Sequence, residues 1–147
     1  MLINVETMFD NQQEMMKHLK KKSYEDNMKI FLGKNQHYFT EMNEYMDAAE
    51  DKEKAAKELG SCFVDAVEKK FAKGKKGKIA SPVQADLNMF MIYFVFPAIL
   101  KTGHADSKVL ADELCNTWRE RFKGGQIGYT DYDTIYNSFR EKIFGIF

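Results

Sequence analysis

Cysteine and proline are both scarce, with two of each in 147 residues, and only three histidines are present. Cys62 and Cys115 stand far apart, and neither has a CxxC neighbour, so no zinc site or redox pair is signalled. A disulfide framework is not expected at this length, and two reduced, buried thiols suit a cytoplasmic chain. Two prolines and nine glycines exclude linker-like and collagen-like segments and argue against a turn-rich all-β fold. Net charge is also missing, since 22 Lys+Arg cancel 22 Asp+Glu, which excludes a uniformly basic polyanion binder. The N-terminal stretch lacks the basic and apolar regions of a signal peptide.

Motifs that carry chemistry are equally sparse. There is no HExxH and no histidine pair at helical spacing, so neither a zinc hydrolase nor a di-metal carboxylate bundle is indicated. The phosphate-binding GxxxxGK[ST], the dinucleotide GxGxxG and the nucleophile elbow GxSxG are all absent. His18, His37 and His104 are expected as surface or capping residues. The expectation is therefore no catalytic set, no metal and no cofactor.

What the chain does hold is helix. A first apolar stripe runs through Val5, Met8, Phe9, Met15, Met16 and Leu19. Ser23 to Asp26 resembles a capping box, and after it Tyr24, Met28, Phe31, Asn35, Tyr38, Met42, Tyr45 and Ala49 recur in steps of four and three. Gly33 costs about 1 kcal/mol relative to alanine in a helix interior, so with Asn35 it predicts a break or kink near 33–35. The stripe suits packing inside a bundle, or a short coiled coil with a second chain in which Asn35 sets register.

Asp51 marks the next joint. Beyond it Ala55, Leu59, Phe63, Val67 and Phe71 form a helical stripe, with Gly60 as a close-packing position. Gly74 and Gly77 end that helix. Ser81, Pro82 and Gln84 then give a three-part start signal: a serine cap, proline at the first helical position and glutamine reaching back from the third. The helix they open contains Leu87 to Leu100, apolar except for Asn88 and Pro97. Fourteen residues fall short of the roughly 20 that span a bilayer, so the run is expected as a buried core helix rather than a membrane segment. Pro97 predicts a kink and Gly103 the end. Leu110, Leu114, Trp118 and Phe122 mark one further helix, and Tyr132, Ile135, Tyr136, Phe139 and Ile143 another. The sum is a single all-α domain over 1–147: a compact bundle of five or six helices around a central apolar helix at about 82–102.

Neutrality conceals one uneven segment. Residues 69–78 carry six lysines, Lys69, Lys70, Lys73, Lys75, Lys76 and Lys78, with no acid between them. Such a cluster attracts phosphate backbones through counterion release, although no stacking aromatic is interleaved. It is either a nucleic-acid or polyanion site or a solvated loop. Phe144 and Phe147 near the C-terminus, and Arg119 and Arg121 flanking Phe122 and Trp118, are further candidates for a partner surface, as is the stripe from Tyr24 to Tyr45. The leading expectation is a non-catalytic interaction protein, such as an adaptor, inhibitor or accessory factor, with a homodimer as one form it could take. Polyanion binding through the lysines is the alternative, and a small-ligand pocket beside Pro97 is a third.

Overall fold

A computed structural model describes residues 6–9, 24–72 and 78–122, and the account below concerns these. They are all-α. A single turn, α1 (Glu6–Phe9), precedes the long α2 (Tyr24–Ala48) and then α3 (Lys52–Phe71). The central rod follows as α4 (Ser81–Phe90), a π-helical turn (Met91–Val95) and α5 (Phe96–Lys101), and α6 (Ser107–Phe122) closes the described part. With the rod taken as one element, four principal helices are present among the described residues. The helix expected at 132–143, like most of the stripe from Val5 to Leu19, lies outside the described residues.

The predicted break in α2 does not occur. The helix runs unbroken through Gly33, where an added Cβ would meet open space. Asn35 is buried, and its Nδ2 donates to the Phe31 carbonyl one turn back at 2.9 Å, so its amide is satisfied within the helix. Packing of the inward face overrides the weak local propensity.

Asp51 does cap α3. Its backbone is extended, and its carboxylate accepts the Lys54 amide at 3.1 Å. The start of α4 is displaced by one residue from expectation, because Ala80 occupies the cap position and Pro82 sits within the first turn. Nor does Gln84 reach back; its side chain turns into the core (0% exposed).

At Pro97, where a kink is expected, a π-helical turn lies on the N-terminal side. The Phe96 amide bonds the Met91 carbonyl, five residues back. Proline has no N–H for the Tyr93 carbonyl and its ring crowds that oxygen, so one extra residue in the preceding turn relieves the conflict while the rod stays packed. The rod ends where Gly103 adopts φ 67°, a left-handed conformation suited to glycine. Pro82–Lys101, longer than the fourteen-residue apolar run, meets the length and composition of a membrane-crossing helix, but most of it is buried inside this bundle.

The core gathers around the rod. Phe9 packs on Phe63, Phe71 and Phe90, and Phe31 packs on Phe90, Phe94 and Phe39, with ring centroids 5.2–6.0 Å apart. Each fully buried aromatic or aliphatic side chain contributes about 1.5–3 kcal/mol. Helices α3 and α6 pack closely because Gly60 has no side chain; an added Cβ would lie 3.0 Å from Thr117 Oγ1. Among the described residues Ile30 is the one large apolar side chain left exposed, at 46%.

Candidate functional site

The stripe proposed for a partner faces inward. Met28 (1% exposed), Phe31 (0%), Asn35, Tyr38 and Met42 are buried against the chain's own core, and Tyr24 opens the helix they share. Tyr45 is half-buried, and its hydroxyl donates to Glu58 Oε2 at 2.5 Å, joining α2 to α3. That bond, with the nearby negative charge, raises the Tyr45 pKa above its ordinary value. Heptad spacing here serves intramolecular packing.

Of the lysine run, Lys69 and Lys78 are exposed, whereas Lys70 is half-buried with its ammonium 5.9 Å from the Phe71 ring centroid. Lys69 and Lys70 also occupy the last turn of α3, where cations complement the helix dipole. Lys73, Lys75 and Lys76 lie outside the described residues, as do Phe144 and Phe147.

Arg119 and Arg121 do come together, at a cleft the sequence did not reveal. It runs between α3 and α6, has a volume of about 850 Å³, and is lined by Lys57, Ser61, Glu113, Asn116, Thr117, Arg119, Glu120 and Arg121. Every one of these residues is polar. Arg121 pairs with Asp65 at 2.8 Å and Glu68 at 3.5 Å across the two helices. Lys57 pairs with Glu53 one turn away at 3.1 Å, and this bond raises the lysine pKa. The cleft thus offers guanidinium and ammonium donors, carboxylate acceptors, two hydroxyls and an amide on rigid helical walls. The signal for it was present only as polar residues on the outer faces of two helices, and their juxtaposition depends on the Gly60 contact.

A second polar cluster sits where α2, α3 and α6 converge. His104 Nε2 lies 2.7 Å from Asp47 Oδ1, and the Asp106 amide donates to His104 Nδ1 at 3.1 Å. Lys52 Nζ donates to the Met46 carbonyl at 2.6 Å, capping the end of α2, and stands 3.9 Å from Asp106 Oδ2. The ligand atoms of Asp47, His104 and Asp106 lie within 4.8 Å of one another. The arrangement nevertheless suits a joint better than an ion. Both ring nitrogens already have partners, Nδ1 as an acceptor, whereas a metal-bound histidine normally donates its second N–H. Lys52 supplies a positive charge in place. His104 was expected as a surface or capping residue, and it acts as the cap of this turn.

A third cluster is buried. Asn88 Oδ1 accepts from Gln84 Nε2 at 2.9 Å and from Trp118 Nε1 at 2.8 Å. Gln84 Oε1 has no hydrogen-bond partner among the described residues. Sequence reasoning missed this network because Gln84 and Asn88 each fitted another local pattern.

Comparison with protein-family models, curated proteins and solved structures finds no match to this chain.

Proposed function

We propose that the chain is a non-catalytic interaction protein that binds a polar, mixed-charge segment of a protein partner in the cleft between α3 and α6. The observation that carries this reading is the cleft's lining: eight polar residues of both charges on two rigid helices, where the described large apolar side chains, Ile30 apart, are turned inward. Complementary charge gives such a site specificity and speed of encounter more than raw affinity. A photo-crosslinking side chain at Asn116 tests it, with Lys34 on the exposed face of α2 as control. One discrete adduct from Asn116, absent from Lys34 and lost in Arg119→Glu, is expected; adducts from both positions alike, or none, overturn the proposal. An adduct with a second copy of the chain assigns the site to self-association.

Polyanion binding through Lys69–Lys78 is the second reading, favoured by the exposure of Lys69 and Lys78 at the two ends of the run. Replacing Lys73, Lys75, Lys76 and Lys78 by glutamine should then abolish a salt-sensitive gel shift; absence of any shift at low salt for the unmodified chain ends this reading. A ligand pocket beside Pro97 gains no support, because Phe94 to Ile99 are packed and buried.

A further inference from the structure

The His104 joint has a property that follows from which nitrogen accepts. A neutral imidazole carries one proton. Nδ1 faces a backbone N–H, the Asp106 amide at 3.1 Å, so Nδ1 must be the bare nitrogen and Nε2 the protonated one. The Nε2 proton is then aimed at Asp47 Oδ1, 2.7 Å away. The tautomer is therefore set by the main chain, and each nitrogen has one role. The ring's side chain is 18% exposed, so water can reach it.

We propose that His104 is a proton-driven latch: neutral, it holds the turn before α6 by accepting the Asp106 amide, and protonated, it releases that amide. Adding a proton makes Nδ1 a donor facing a donor, so the Asp106 N–H loses its acceptor. The new N–H finds its nearest charge in Asp106 Oδ2, 4.0 Å away, which a side-chain rotation brings into bonding distance. At Nε2 the bond to Asp47 persists and becomes charge-assisted. The charged groups around the ring are Asp47 from the end of α2, Lys52 from the start of α3 and Asp106 from the turn itself. Because Lys52 caps α2 through the Met46 carbonyl while facing Asp106, movement of the Asp106 carboxylate is felt at all three helices.

Nitrogen-15 NMR of the full chain between about pH 5 and 8, where carboxylates stay ionised, tests the latch. At the upper end His104 should show a bare Nδ1 and a protonated Nε2. The Asp106 amide shift should titrate with the same midpoint as the His104 ring. Its protection against exchange should fall about tenfold on protonation, the scale of one net hydrogen bond. In His104→Gln the pH dependence of the Asp106 amide should vanish. If that variant fails to fold, Asp47→Asn provides the second test, because it leaves Nδ1 in place and should keep the co-titration while moving its midpoint. A protonated Nδ1 at high pH, or an Asp106 amide that ignores the His104 titration, overturns the proposal.

Discussion

Asn88 accepts two hydrogen bonds through a single oxygen, one from Gln84 and one from Trp118, within the buried core. Replacing it by leucine would leave two buried donors without an acceptor. Each orphaned group costs about 1–3 kcal/mol, so Asn88→Leu should destabilise by roughly 2–6 kcal/mol. Urea unfolding monitored by Trp118 fluorescence measures this, and the midpoint should drop without a change in slope. Asp51→Ala removes the one acceptor for the Lys54 amide and should cost about 1 kcal/mol in the same assay. These two residues differ in how legible they were. The joint at or near Asp51 is a local signal and was readable, while the cap itself is seen in the structure. Asn88 sits thirty positions from Trp118, and only the packing of the rod on α6 brings them together. A still longer separation, 57 positions, hid the pairing of His104 with Asp47.

Two glycines with opposite surroundings set the behaviour of the helices. Gly33 lies in α2 facing open space, so Gly33→Ala should stabilise the chain by up to about 1 kcal/mol through helix propensity alone. Gly60 lies in α3 against Thr117, Glu113 and Leu114 of α6. Gly60→Leu should therefore lose about 1–3 kcal/mol or more by forcing the helices apart. Thermal unfolding of the two variants should move in opposite directions. Element by element, apolar periodicity located α2, α3, the rod and α6, and Gly103 ended the rod as expected. Periodicity could not foresee the π-helical turn, because that turn resolves a conflict between Pro97 and a core packed on every side. It also could not distinguish burial within the chain from burial against another, so the heptad stripe of α2 left both open.

At the scale of the whole molecule, the described helices turn their large apolar side chains inward, leaving Ile30 exposed, while the polar residues of α3 and α6 converge on one cleft. Association through the α2 stripe would require Met28, Phe31 and Met42 to leave the core, at about 1.5–3 kcal/mol for each side chain. On the function proposed above, recognition would fall to polar surfaces, the cleft first, and the described helices are expected to hold their fold without a second copy. The unfolding midpoint in urea, measured over about a hundredfold range of protein concentration, tests this most directly, because an obligate dimer is stabilised by mass action. The account predicts one midpoint at every concentration. A midpoint that climbs with concentration would contradict it and return the stripe from Met28 to Met42 to an interface between chains.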